Sequence, residues 1–273
     1  MKTPCLAIAL VALNLTALAD SRAASVMTYA VQHGEQTAST QTVNIQDGQV
    51  WTHGLGNDAK VDILFDESRE QAVIIDHARQ RYIPITDDSV RKLTSRLEGM
   101  SYMLRGLNDQ IKQLNPEQKA KWGMLLEGLP VDAINEAQQA LAGVSLESLG
   151  KAQFFNGIRC EWMRLNLAQS APVEFCLAAV DTLDLSPADR KALQGLTRLF
   201  QTLLQRAQGL ASRFGVNIRQ SDLDKLGGIP LAIEDRRGQQ RLSMTLTAIG
   251  PAKAPLSPPA LPENYRSEGL KFW

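Results

Sequence analysis

Alternation dominates the first part of the chain. From Val26 to Ile85 apolar residues recur at every second position in short runs broken by turn residues, which predicts an antiparallel meander. Asp47-Gly48 is a two-residue hairpin signal, because both central positions of such a turn favour φ > 0. In that register Ile45 faces Val50 and Val43 faces Thr52 on one side, while Trp51 and His53 share the other side with Asn44. Val61 to Phe65 and Ala72 to Ile75 follow as strands around the polar turn Asp66 to Glu70, and Arg81 to Ile85 is the last strand of this part.

The period then lengthens. Val90, Leu93, Leu97, Met100, Leu104, Leu107, Ile111 and Leu114 are spaced alternately three and four residues apart, the seam of one long helix. Asn115-Pro116 ends it and starts a second helix carrying Trp122, Leu125, Leu126 and Leu129, and a third follows Pro130. Residues 87 to about 149 therefore read as a helical insertion between strands. Residues 154–167 and 173–180 resume the strand pattern. Ser186-Pro187-Ala188-Asp189 is then a helix start, with Ser186 as cap, Pro187 first and Asp189 near the positive end. Leu193, Leu196, Phe200, Leu203, Ala207, Leu210 and Phe214 make a second seam, which Gly215 can end. Such a seam serves packing within the domain or an intermolecular coiled coil; a helix set between strands favours the first. Ile229 to Glu234 and Leu242 to Ile249 close the pattern, and a tail with prolines at 251, 255, 258, 259 and 262 stays extended, either strapped to the body or free as a recognition peptide.

Composition narrows the function classes. With 44% hydrophobic residues the chain can bury a core, and with 29 basic against 29 acidic side chains it lacks the positive field of a nucleic-acid binder. Lys2, the apolar run Leu6 to Leu18 and the small-x-small triplet Ala17-Leu18-Ala19 predict a secretory signal peptide over residues 1–19, cut at Ala19 or a few residues later. The run is too short to span a membrane, which takes about 20 apolar residues. Cys5 stands ahead of it rather than at the cleavage site, so no lipid anchor is expected and the expected location is the periplasm. Taking 19 residues, Lys2 among them, from the 273 leaves 254 with 28 basic and 29 acidic groups. Cys160 and Cys176 then remain as a pair in an oxidising compartment, where a disulfide is the expectation. A hairpin centred near Ala168 would set them opposite each other and close a loop of about 17 residues, worth ~3 kcal/mol in the chain-entropy model. A redox-active pair would call for closer, C-x-x-C-like spacing.

The order of elements, with Val61-Asp62-Ile63-Leu64-Phe65-Asp66, Ala72-Val73-Ile74-Ile75-Asp76, Tyr82 and the ending Pro262-Glu263-Asn264-Tyr265, resembles a family of exported bacterial proteins of unknown function similar to the LolA/LolB lipoprotein carriers. The resemblance implies one α+β domain over residues 20–250: a curved antiparallel half-barrel, with the helical insertion and a second long helix on its concave side over an apolar cavity. The long insertion and the cysteine hairpin depart from the carrier pattern, and the resemblance brings no functional residues with it.

Chemistry is sparse. His33, His53 and His77 are widely spaced, with no close pair of the kind zinc sites use. Asp76-His77 admits an acid–base reading. Asp87-Asp88 and Glu234-Asp235 sit at element ends, where caps explain them. There is no G-x-S-x-G elbow and no phosphate-binding glycine loop, so no catalytic residue, metal or cofactor is expected. Leu64, opposite in parity to Ile63 and Phe65, places apolar residues on both faces of a strand. The leading expectation is a non-enzymatic, monomeric protein that binds a hydrophobic small molecule, an acyl chain or a lipidated peptide, with Trp51, Leu64, Met100, Met103, Leu104 and Trp122 as pocket candidates. The alternatives are an envelope assembly module acting through a heptad helix or the tail, and a metal-dependent enzyme resting on the histidines.

Overall fold

The computed structural model describes residues 24–54, 60–96, 145–167, 170–212, 226–237 and 241–270. Their strands are β1 (Ser25–His33), β2 (Ser39–Gln46), β3 (Gln49–Thr52), β4 (Val61–Asp66), β5 (Gln71–Asp76), β6 (Arg81–Ile85), β7 (Ser145–Phe155), β8 (Ile158–Leu167), β9 (Ser170–Ala178), β10 (Ile229–Asp235), β11 (Leu242–Pro251) and β12 (Arg266–Ser267). They form one sheet in the order β12-β6-β5-β4-β3-β2-β1-β11-β10-β9-β8-β7. Every neighbouring pair is antiparallel except β12 on β6. The end strands β12 and β7 do not pair, so the sheet is open. Helical residues among those described are α1, 87–96, and α2, Pro187–Ser212, besides two short 3-10 turns.

This overturns the expected α+β half-barrel with helices layered over its concave side. Strand dominates the described chain, in a single twelve-stranded open sheet. The main physical reason is β7, whose sequence Ser-Leu-Glu-Ser-Leu-Gly-Lys-Ala-Gln-Phe-Phe is mostly exposed and so lacks the alternation that burying one face imposes. The expected single strand over 154–167 is in fact the end of β7, a turn at Asn156-Gly157 and the whole of β8. Asn156 and Gly157 both take φ > 0, at 49° and 78°, as a two-residue hairpin turn requires. The expected insertion begins as a helix at residue 87 and gives way to strand by Ser145; its seam beyond residue 96 lies outside the described residues.

The first hairpin forms as the sequence indicates. Asp47 and Gly48 have φ of 50° and 80°, Ile45 pairs with Val50, and Asn44 pairs with Trp51. At α2 the Ser186 hydroxyl accepts the Asp189 backbone N–H at 3.1 Å. The buried Asp189 carboxylate in turn accepts from the Ser25 hydroxyl at 2.6 Å, tying the start of the helix to β1. Gly195 lets the helix lie close on β4, since a Cβ there would stand 3.1 Å from Phe65 Cζ and Glu67 Cγ. Further along, the Arg206 guanidinium grips both carboxylate oxygens of Asp87 at the start of α1.

The core lies between α2 and the sheet. Met27, Ile45, Phe65, Leu193 and Leu231 are among its fully enclosed members, and Val50 is buried beside them. Leu196 and Leu203 of the seam pack against it. Tyr29 is buried with them, which pushes its phenol far above the ordinary value, and its hydroxyl donates to the Pro230 carbonyl at 3.1 Å.

Candidate functional site

Where α2 passes over β7 to β10 the packing opens into a cavity of about 470 Å³. Its walls follow from two periodicities. On β9, Val173, Phe175 and Leu177 face the cavity, while Cys176 and Ala178, at the intervening positions, join the buried core. On α2, Leu196, Phe200 and Leu204 recur at helical spacing. Ile229 and Ile233 of β10, with Leu146 and Leu165 from the outer strands, extend the wall. Gly228 sits in the floor, where a Cβ would come within 2.7 Å of the Ala178 carbonyl oxygen.

Thr197 supplies the polar side chain of this lining, and its hydroxyl donates back to the Gln194 carbonyl at 3.0 Å. The cavity therefore offers a guest almost nothing but aliphatic and aromatic surface. Phe200 is 52% exposed and stands at the rim rather than in the interior.

The disulfide is present, with Cys160 and Cys176 joined at a Cα separation of 5.4 Å. The two are diagonal neighbours rather than directly opposed, because Trp162 is the partner of Cys176 across β8 and β9. Both are buried, so the bridge fastens the strands that carry the cavity wall.

Of the expected pocket residues, the two described ones, Trp51 and Leu64, do not line this cavity. Trp51 and Leu64 are cross-strand partners on β3 and β4, on the face opposite Val50 and Phe65. Trp51 is nonetheless buried, as is Val73, the partner of Leu64. Both faces of the sheet are therefore covered here. Met100, Met103, Leu104 and Trp122 lie outside the described residues. The cavity liners on β9 were missed although Val173, Phe175 and Leu177 alternate visibly; alternation tells which residues share a face, not whether that face is filled.

On the Trp51 face two of the three histidines converge. His53 Nδ1 and His77 Nε2 each lie 3.1 Å from the same oxygen, Asp62 Oδ2, and the Gly54 N–H donates to Oδ1 at 3.1 Å. Burial pushes the Asp62 carboxyl up, but the Gly54 N–H and the two imidazoles outweigh it and hold the acid below its usual value. His77 Nδ1 meets the Tyr265 hydroxyl at 3.0 Å, and the two rings sit edge to face. His33, at the end of β1, is not part of this group. Because both imidazoles are spent on one carboxylate oxygen, the arrangement orients side chains rather than opening ligand positions. Among the described residues no three metal-ligating side chains are grouped to hold an ion.

No known protein family matches the chain, and no curated protein matches it. A solved structure described as "Structure of PNGF-II in C2 space group" is similar over 85% of this chain and 28% of that one, at 7% identity and a TM-score of 0.36. The chain thus spans just over a quarter of that protein, and a likeness this faint carries no argument. No described helix is long and apolar enough to cross a membrane.

Proposed function

We propose that the protein binds a hydrophobic ligand, an acyl chain free or attached to a peptide, in the cavity between α2 and strands β7 to β10. The observation that carries the reading is the chemistry of that cavity. About 470 Å³ is lined by aliphatic and phenyl groups, and the one polar side chain among the described lining residues is satisfied internally. Ligand sites of this size ordinarily include a few polar groups that fix orientation. A guest without polar groups along its buried length needs none. Each methylene moved from water into such a wall contributes ~0.8 kcal/mol before ordering costs. A charged head would find no partner inside and would stay at the rim beside Phe200. Export to an oxidising compartment belongs to the same reading, supported by the buried Cys160 to Cys176 bridge.

The test is to purify the full chain from the cell envelope under non-denaturing conditions, record its native mass, and extract it for lipid. In parallel it is titrated with a fluorescent sixteen-carbon fatty acid and with a lipidated peptide. A co-purifying acyl species, or saturable binding weakened at least tenfold by Phe175→Asp, is the expected result. Protein free of lipid that binds neither probe overturns the proposal. Tighter binding of the lipidated peptide than of the free acid would identify the source of the chain.

A further inference from the structure

A second cavity, of about 600 Å³, opens at the end of the sheet where β1 begins and β11 ends. Ser25 pairs with Pro251 there, the Asn156-Gly157 turn between β7 and β8 forms one side, and the loop 182–186 that leads into α2 forms another. It shares no lining residue with the apolar cavity. Its walls mix hydroxyls, an amide and a carboxylate with Ile158, Ile249 and Pro251.

Internal hydrogen bonds fix these walls. The Asn156 amide donates to the Leu246 carbonyl at 3.3 Å and pins the turn on β11. Ser25, 8% exposed, donates its hydroxyl to Asp189 at 2.6 Å and joins β1 to α2. The Thr182 hydroxyl donates to the Ala179 carbonyl at 2.7 Å, and that of Ser186 accepts the Asp189 N–H at 3.1 Å. What each group has left follows from these bonds. With their protons committed, Ser25 and Thr182 offer only oxygen lone pairs; Asn156 keeps its Oδ1 acceptor and one N–H, and Ser186 keeps its proton.

Asp184 is the charged member of the lining, and its carboxylate makes no hydrogen bond or ion pair among the described residues. No basic side chain lines the cavity among those residues. The basic neighbours along the chain are directed elsewhere, Arg159 to Glu161 at 2.9 Å and Arg190 to the Leu185 carbonyl at 3.4 Å, while Lys253 is exposed outside the lining. The positive end of α2 does not turn the site towards anions either, because the buried Asp189 carboxylate sits in its first turn. The cavity therefore presents an uncompensated negative charge and a surplus of acceptors beside apolar surface. An anion would be repelled, and an apolar guest would strand the acceptors without partners.

We propose that this cavity binds a small hydroxylated primary amine, with its ammonium group on Asp184, its hydroxyls donating to Ser25, Thr182 and Asn156, and its carbon skeleton against Ile158 and Ile249. The volume lies within the range of about 300–1,000 Å³ usual for small-molecule sites, which leaves room for a sugar-sized ring. Amino sugars and ethanolamine head groups both carry this chemistry.

The test titrates the full chain with glucosamine, with ethanolamine and with N-acetylglucosamine, whose nitrogen is acylated and uncharged, and follows binding by calorimetry. Saturable binding of at least one of the two amines is expected, about tenfold or more tighter than that of the acetylated sugar, and weakened to a similar degree by Asp184→Asn. Asp184 is exposed and without a partner, so this variant should melt as the unmodified chain does and bind the acyl probe unchanged, which separates the site from the apolar cavity. Asp181→Asn is the control, since Asp181 is exposed, accepts from Gln194 at 2.9 Å and does not line the cavity. The tighter-bound of the two amines identifies the source. Absence of saturable binding of both amines, equal binding of the acetylated sugar, or equal losses in the Asp184 and Asp181 variants each overturns the proposal.

Discussion

The two faces of this sheet are covered by opposite means. Beneath α2, on the side of β7 to β10, aliphatic and phenyl groups surround empty space with almost no polar contact. Across β3 to β6, on the other face, Trp51 and Ile75 are fully enclosed with Val73 buried beside them, and polar contacts at the rim tie in the tail: Asp62 with His53 and His77, and His77 with Tyr265, while Arg81 with Asp76 and Glu268 adds to them from the Ala72 side of the β6 edge. Apolar walls are non-directional, so they hold a guest without fixing its orientation or register. Hydrogen bonds and ion pairs add less net energy but accept one alignment. The first arrangement suits a ligand of variable length, the second a segment of defined sequence.

The contrast can be broken from the cavity side first. Leu231→Ala removes a fully enclosed side chain from the core beneath the cavity. It should cost about 2–5 kcal/mol in urea unfolding and leave the β6 edge contacts intact. Gly228→Ala forces a methyl group against the Ala178 carbonyl in the cavity floor. A loss of about 1–3 kcal/mol is expected, together with weaker binding of the acyl probe.

On the latch side, Asp62→Asn removes the charge shared by two imidazoles, at an expected cost of about 1–2 kcal/mol near neutral pH. The sign of its pH dependence follows from the depressed carboxyl. A group held below its ordinary value stabilises the fold above the unfolded pKa of about 3.9, and that stability is lost as pH falls through the folded value. Thermal melts below about pH 4 should therefore fall more steeply for the unmodified chain than for Asp62→Asn. Asp76, lowered by the Arg79 N–H and by Arg81 and Arg79 against the upward push of burial, keeps a residual slope in both. The smallest effect sharpens the comparison most. Phe200→Ser at the exposed rim should change stability by no more than about 0.5 kcal/mol and still weaken acyl binding severalfold, whereas a stability change without a binding change would show the rim to be mere surface.

Much of the first half of the fold was legible. Asp47-Gly48 fixes the β2 to β3 register because few residue pairs tolerate two successive positive φ values. Ser186 and Asp189 mark the start of α2 because its first N–H groups need acceptors. β7 was invisible because it is an edge strand with both sides largely in water, so nothing selects for alternation there. The Asn156-Gly157 turn within the expected 154–167 strand was a readable signal for it. The disulfide pairing followed from counting cysteines, but its diagonal geometry depended on where β9 registers against β8. The meeting of His53 with His77 was not legible, since they follow β3 and β5, which do not pair with each other, and only the Thr52 to Ile63 and Val61 to Asp76 pairings across β4 bring both beside Asp62.

By itself the sequence determined what local stereochemistry and solvent dictate: where the first hairpin turns, where the long helix begins, which cysteines join, and that the strand carrying Leu64 would have apolar residues on both faces. Tertiary structure decided what covers those faces. Whether an apolar face is filled, left open as beneath α2, or crossed by a strap latched through Tyr265 depends on contacts between residues far apart in the sequence. Periodicity registers only the neighbours a residue has along its own element.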